Sequence, residues 1–153
     1  MEVIAENKKA EFDYEIVDRF EAGLVLNGQE VKSIRTNGAG LNGTYVVLRQ
    51  DKYQSKPEFF WLGATIPPYQ PGNIMSGYDI QRPRKLLLNR KEINYLIGKI
   101  KVKGLTLVPL RLYTKDAKLK LEFGIGRGRK KFNKKELLKT RDTEREIRRA
   151  LAR

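Results

Sequence analysis

The 153-residue sequence contains no cysteine and no histidine. Without cysteine, neither a disulfide framework nor a thiolate metal site can form. Without histidine, the commonest metal ligand and the usual general base at neutral pH are missing. The serines at 33, 55 and 76 therefore lack a histidine to activate them, and no acidic cluster is evident. A catalytic Ser-Lys pair and a nuclease site with a metal held by carboxylates remain as alternatives. We nevertheless expect no catalytic residues, no metal and no cofactor.

Long apolar runs are missing as well. No stretch approaches the roughly 18 residues that a membrane-spanning helix needs. The first nine residues, Met1 to Lys9, carry two glutamates and no apolar segment typical of a secretory signal. These features predict a cytoplasmic protein without a membrane partner.

Positive charge is abundant. The chain contains 32 Lys and Arg residues and 18 Asp and Glu residues, which gives a net charge of +14 at pH 7. So much like charge on a small domain favours an anionic partner, and nucleic acid is the commonest one, because each neutralised phosphate releases a counterion. The alternative is a basic surface that is merely solvated. Forty per cent hydrophobic residues are enough to build a core.

Short β-branched or aromatic stretches separated by turn residues predict a mainly antiparallel β fold. Asn27-Gly28 is typical of a hairpin turn. In the last predicted strand, apolar residues alternate with charged ones, as expected for a sheet with one buried face. The predicted strands are Tyr14–Asp18, Gly23–Leu26, Glu30–Ile34, Tyr45–Arg49, Phe59–Ala64, Leu105–Tyr113 and Lys118–Ile125.

One helix is clear from its apolar stripe, which recurs every three or four residues. Asn89 is a candidate N-cap, and Glu92, three residues later, resembles the second half of a capping box. A shorter helix is predicted near Thr36–Asn42, although its two glycines disfavour it. Short strands with one long helix suit a closed antiparallel OB-like barrel with flanking helices over residues 1–125. The residues of the stripe are Ile93, Leu96, Ile97 and Ile100.

After Ile125 the composition becomes basic, with only scattered apolar residues. This predicts a C-terminal tail over 126–153 that is disordered when free and becomes helical on a partner. The glycines at 124, 126 and 128 lack the Lys-Ser/Thr ending of a phosphate-binding loop, so we interpret them as the exit of a strand into the tail.

Two features indicate an RNA surface. Arg82-Pro-Arg84-Lys85 precedes three leucines and Asn89-Arg90-Lys91. Alternation along a strand would place these cations on one side as a rail for phosphates, unless they form an ordinary solvated strand end. Glu21 is most simply a surface charge, but it could accept hydrogen bonds from base or sugar donors, which cations cannot do.

The chain closely resembles the SsrA-binding protein family (small protein B), the bacterial partner of transfer-messenger RNA in the rescue of stalled ribosomes. The resemblance runs almost from end to end. The stretches that carry it are Ile4–Ala10, Phe20–Leu24, Glu30–Ser33, Arg84–Leu88, Lys103–Pro109, Arg127–Lys130 and Arg141–Glu146.

The resemblance implies an OB-like barrel and a non-catalytic adaptor that binds the tRNA-like domain of transfer-messenger RNA. The complex would enter the ribosome with elongation factor Tu, which associates through the RNA. The tail would act in the decoding centre and the empty mRNA channel. We expect a monomer. The alternative is a structural protein of the ribosome whose basic tail binds rRNA.

Asn7, Glu21 and Leu87 match family positions implicated in RNA binding, and the basic residues extend this set. The expected RNA-binding residues are Asn7, Lys8, Lys9, Glu21, Lys32, Arg35, Arg82, Arg84, Lys85, Leu87 and Arg90. The expected ribosome-binding residues are Arg127, Arg129, Lys130, Lys131, Phe132, Asn133, Lys134 and Lys135. Phe132 and Asn133 replace the His and Asp common in the family, so the chain has neither an imidazole nor a carboxylate at these two positions. The segment Gln50–Phe59 is longer than the usual hairpin.

Overall fold

The computed structural model describes residues 1–50, 56–70, 72, 77–129, 141, 145 and 148. The described part of the chain contains seven strands and three helices. They are β1 (Glu2–Glu6), α1 (Lys8–Asp13), β2 (Tyr14–Leu24), α2 (Gly28–Asn37), β3 (Tyr45–Arg49), β4 (Glu58–Leu62), β5 (Arg84–Leu87), α3 (Arg90–Ile100), β6 (Leu105–Lys115) and β7 (Lys118–Gly128). None of the helices in these ranges is long and apolar enough to cross a membrane.

The strands form one sheet in the order β1-β6-β7-β2-β5-β4-β3, and every neighbouring pair is antiparallel. The mainly β fold with flanking helices is thus confirmed. The sheet curls, since β3 lies against β6. In the described part of the chain, however, no hydrogen-bonded ladder joins β1 or β6 to β3. The expected closed barrel is therefore not confirmed, because the sheet ends at β1 and β3.

The core lies on the concave side of the curled sheet. Leu119, Leu121, Phe123 and Ile125 of β7 are all buried, which confirms the predicted alternation along this strand. Trp61 of β4 is fully buried among them. Burial of these side chains supplies the main favourable term in folding, roughly 1.5–3 kcal/mol for each large residue.

Helix α3 forms as the sequence predicts. Asn89 Oδ1 accepts a hydrogen bond from Glu92 N at 2.8 Å, and Asn89 N donates to Glu92 Oε1 at 3.2 Å, which completes a capping box. Leu96 is buried, and the other residues of the apolar stripe pack against the core. The helix therefore covers one side of the sheet with the face that its periodicity indicates.

The prediction of a strand over Glu30–Ile34 was wrong, because these residues belong to helix α2. Asn27-Gly28 begins this helix and makes no hairpin. Asn27 Oδ1 accepts from Glu30 N at 2.8 Å, and Asn27 N donates to Glu30 Oε1 at 3.0 Å. The helix predicted over Thr36–Asn42 coincides only with the last turn of α2, which stops at Gly38 with a φ of 75°.

Two strands are longer than predicted. The two short strands expected over 14–26 are one strand, β2, which carries a bulge between Ile16 and Asp18. Strand β7 continues through the three glycines to Gly128 and does not end at Ile125. A Cβ atom on Gly124 would lie 2.8 Å from the Asp18 carbonyl oxygen. The glycine at 124 therefore permits close packing inside the sheet, which corrects its interpretation as a strand exit.

Candidate RNA interface

The convex face of the sheet carries a row of residues from four strands. Leu87 pairs with Gly23, Gly23 with Lys120, and Lys120 with Tyr113. Residues directly opposite one another on antiparallel strands share a face. A Cβ atom on Gly23 would lie 3.3 Å from Leu87 Cβ and 3.7 Å from Lys120 Nζ. The glycine therefore lets the leucine and the lysine come close together.

A groove of about 350 Å³ opens beside this row, between the sheet and α2. Leu87, which is 53% exposed, forms its apolar side. Arg35, Lys118 and Lys120 supply positive charge, and the described residues that line the groove include no carboxylate. Arg35 Nη2 donates to the Ala117 carbonyl oxygen at 2.6 Å, which fixes the guanidinium at the groove's edge. Such a groove can receive the phosphates of an RNA chain and the apolar face of a base or a ribose.

Glu21 lies on the same face as Gly23, two residues earlier on β2. Its carboxylate accepts a hydrogen bond from the Tyr113 hydroxyl, and Lys115 Nζ lies 3.5 Å from Oε2. The hydrogen bond from Tyr113 lowers the pKa of Glu21, and the charges of Lys115 and Lys120 act in the same direction, against the effect of burial. Glu21 is thus an exposed, ionised acceptor beside a cationic groove.

Farther along the same face, two arginines are neutralised. Arg111 Nη2 lies 2.8 Å from Glu122 Oε2, and Arg19 Nη1 lies 3.1 Å from Glu122 Oε1. Burial alone would raise the pKa of Glu122, but the hydrogen bonds from both arginines lower it. Unpaired positive charge is therefore concentrated at the Leu87 end of the face.

The predicted basic rail divides into an inner and an outer part. Arg84 is fully buried, so its assignment as an RNA-facing residue was wrong. Its Nε donates to Glu30 Oε2 at 2.7 Å and its Nη1 to the Ala64 carbonyl oxygen at 2.7 Å. The strand alternation that was expected to turn Arg84 outward turns Lys85 outward instead, half-buried and 3.0 Å from Glu58.

The other three rail residues lie at the surface. Arg82 shares the Glu30 carboxylate at 2.5 Å, with 36% of its side chain exposed. Arg90 and Lys91 are exposed at the start of α3. The structure therefore leaves Lys85, Arg90 and Lys91 as the rail cations that phosphate can approach.

Asn7 is buried, with both polar groups of its amide bonded inside the protein. Its Oδ1 accepts from Ala10 N at 3.1 Å and caps α1, while its Nδ2 donates to the Pro109 carbonyl oxygen at 2.9 Å. Asn7 thereby attaches α1 to β6 and has a structural role. Lys8 and Lys9 are exposed on that helix.

The remaining predicted residues fall in three places. Lys32 and Arg35 are exposed on α2, and Arg127 is exposed at the end of β7. Arg129 is half-buried, and its N–H donates to the Asp13 carbonyl oxygen at 2.9 Å. Lys130, Lys131, Phe132, Asn133, Lys134 and Lys135 lie outside the described residues, as does much of the 50–59 loop.

Sequence reasoning missed four residues of the candidate interface: Tyr113, Lys115, Lys118 and Lys120. The alternation along β7 does place Lys118 and Lys120 on the outer face, so those two could have been found. Tyr113 and Lys115 reach Glu21 only through the register of β6, β7 and β2, which connects residues more than 90 positions apart.

Known proteins resemble the chain over almost all of its length. The family model described as SmpB protein matches residues 4–153. The SsrA-binding protein of Chloroflexus aggregans is 46% identical over 151 residues, which are 99% of this chain and 92% of the relative. That of Magnetococcus marinus is 47% identical over 149 residues, covering 97% of this chain and 95% of the relative.

A solved structure described as "tmRNA-SmpB: a journey to the center of the bacterial ribosome" contains a similar chain. It is 38% identical and superimposes with a TM-score of 0.62 over 82% of this chain and 84% of that one. The family model, the near full-length relatives and the shared fold agree, and the chain therefore belongs to the SmpB protein family.

Proposed function

We propose that this protein is a non-catalytic adaptor that binds the tRNA-like domain of transfer-messenger RNA and takes part in trans-translation in the bacterial cytoplasm. The observation that carries the proposal is the convex face of the sheet, where a cationic groove, exposed Leu87 and ionised Glu21 lie together. Relatives that are 46–47% identical are SsrA-binding proteins, which supports the choice of RNA.

Each part of this face has a distinct chemical role. Arg35, Lys118 and Lys120 neutralise phosphates and supply affinity through counterion release. Leu87 gives an apolar contact for a base or a ribose. Glu21 can only accept hydrogen bonds, so it selects donors such as a ribose hydroxyl or an exocyclic amine. Because a carboxylate repels phosphate, Glu21 also disfavours RNAs that do not offer such a donor at that point.

The finer parts of the proposal concern the rest of the complex. The body acts as a monomeric OB-like barrel that holds the RNA, and elongation factor Tu joins through the RNA. The tail, 126–153, acts in the decoding centre and the empty mRNA channel of a stalled ribosome. Its high density of Lys and Arg suits a channel that is lined by phosphates.

Capture of RNA from a bacterial lysate tests the proposal. Tagged protein should enrich transfer-messenger RNA over total RNA, and the Lys118→Ala/Lys120→Ala variant should lose most of that enrichment. Lys101→Ala/Lys103→Ala is the matched control, because it removes the same charge from exposed residues beyond α3. Stoichiometric co-purification with one ribosomal subunit, without enrichment of transfer-messenger RNA, would overturn the proposal in favour of a structural ribosomal role.

A further inference from the structure

Helix α2 separates the groove on the sheet from a second cavity. Val31 and Arg35 line the groove, whereas Gly28 and Lys32 line a cavity of about 380 Å³ on the adjacent stripe of the helix. The opposite wall of this cavity consists of Tyr69, Gln70 and Tyr78, from the segment between β4 and β5. An RNA chain on the sheet could therefore reach this cavity by crossing one helix.

The chemistry of this cavity differs from that of the groove. Its described lining consists of two tyrosines, one lysine, one glycine and three side-chain amides, with no carboxylate. Tyr69 is 38% exposed, and Lys32 Nζ lies over one face of its ring, 6.0 Å from the ring centre. An exposed ring beside a single cation suits a planar group that carries a negative charge next to it, as a base and its phosphate do.

Hydrogen bonds and a buried ion pair join the two walls. The Tyr78 hydroxyl donates to the Ile66 carbonyl oxygen at 2.9 Å. Arg84 donates to the carbonyl oxygens of Ala64 at 2.7 Å and Ile80 at 3.2 Å, and it is ion-paired with Glu30 of α2. The segment that carries Tyr69 is thus attached to the helix that carries Lys32. These contacts anchor the backbone on both sides of Tyr69, which lowers the conformational entropy lost when a ligand binds.

We propose that this cavity binds one unstacked RNA base, with Tyr69 as the stacking surface and Lys32 on the adjoining phosphate. The inference rests on the proposed function as an RNA-binding protein, and it adds a second contact beyond the sheet. It also gives the buried Glu30–Arg84 pair a role in RNA recognition, since that pair joins the two walls.

Binding of a transcript of the tRNA-like domain to Tyr69→Ala and Tyr69→Phe tests the proposal. Loss of stacking should weaken binding about 5-fold to 150-fold in Tyr69→Ala, while Tyr69→Phe should bind like the wild type. Lys32→Ala should lower the steepness of the salt dependence by about 0.7–0.9 in the log-log slope. Tyr45→Ala, which removes a ring that is 50% exposed on β3, is the control for loss of a surface aromatic. Wild-type affinity of Tyr69→Ala would overturn the proposal.

Fluorescence separates this inference from the proposed function. The native tryptophan, Trp61, is fully buried, so a Tyr69→Trp variant reports on the cavity. Short single-stranded RNA should quench this new fluorescence, because a base stacks on the indole. Absence of quenching would overturn the cavity whether or not the tRNA-like transcript binds. Quenching in a protein that does not bind the transcript would support the cavity and overturn only the proposed RNA partner.

Discussion

Replacing Glu30 with alanine should destabilise the protein by about 3–5 kcal/mol, because it would leave a guanidinium buried without a counter-charge. The side chains of Glu30 and Arg84 are both fully buried, and Oε2 lies 2.6 Å from Nη2. The substitution would also remove half of the capping box with Asn27. Urea denaturation followed by circular dichroism measures the free energy of unfolding.

A double-mutant cycle with Arg84→Met isolates the interaction between the two charges. Arg84→Met leaves Glu30 paired with Arg82, so it should cost less than Glu30→Ala. The double variant Glu30→Ala/Arg84→Met should cost less than the sum of the single changes, because no charge then remains buried alone. Additive effects, or a loss below 1 kcal/mol for Glu30→Ala, would refute the reasoning.

Acidification provides an independent check on the same pair. Burial alone would raise the pKa of Glu30, but hydrogen bonds from Arg82, the Asn27 backbone and Arg84 lower it overall. A lowered pKa contributes stability that is present above the ordinary pKa of glutamate and is lost as pH falls through the folded-state value. The wild type should therefore lose more stability on acidification than Glu30→Gln, and parallel losses would contradict this.

Three further predictions concern other parts of the molecule. Lys85→Ala and Arg90→Ala should each reduce the log-log salt slope of RNA binding by about 0.7–0.9, and unchanged slopes would make the outer rail a solvated face. Gly124→Ala should lower the free energy of unfolding, measured by denaturation, by about 1–3 kcal/mol, because the new Cβ would lie 2.8 Å from a backbone oxygen. Gly128→Ala is the control and should leave that free energy nearly unchanged, because the space around Gly128 is open. Truncation after Arg129 should leave the melting temperature unchanged and abolish peptide tagging on stalled ribosomes, and normal tagging would refute a role for the tail.

The fold was predictable where local patterns agreed with tertiary packing. In α3 the capping residues and the apolar stripe indicate the same helix, and β7 alternates as a half-buried strand should. In α2 the local patterns conflict with one another. Asn27 and Glu30 have the spacing of a capping box, whereas Asn27-Gly28 and the β-branched residues Val31 and Ile34 favour a hairpin and strand. The helix also gains the buried contact of Glu30 with Arg84, which is 54 residues away. Such a contact leaves no signal in a local window.

The candidate site was predictable to a similar extent. Resemblance pointed to Glu21 and Leu87, and the register of β2 and β5 does bring them to one face. The basic cluster at 82–85 gave no indication that Arg84 points inward, because a buried arginine requires a buried carboxylate from elsewhere in the chain. Tyr113 was missed for the same reason, since its partner Glu21 lies two strands away in the sheet.

The hydrogen bond between Tyr113 and Glu21 should control how RNA binding depends on pH. This bond is the largest cause of the lowered pKa of Glu21, so it keeps the carboxylate ionised in mildly acidic solution. Removal of the hydroxyl in Tyr113→Phe should move that pKa back toward its ordinary value. As the pH falls, Glu21 of this variant would then become protonated at a higher pH than in the wild type. A protonated carboxyl group is a weaker acceptor, so the contact with RNA would weaken at that higher pH as well.

Affinity for the tRNA-like transcript, measured from neutral to acidic pH, tests this relation. Glu21→Gln should bind about 5-fold to 150-fold more weakly at neutral pH, because the negative charge is lost and a donor NH2 replaces one of the two acceptor oxygens. The pH profile of this variant records the titration of the RNA itself. Relative to that reference, affinity should fall at a higher pH in Tyr113→Phe than in the wild type. Superimposable profiles for those two proteins would remove Tyr113 from the mechanism. Tighter binding by Glu21→Gln would show that the carboxylate only repels phosphate, because a residue that accepts specific hydrogen bonds cannot be neutralised with a gain in cognate affinity.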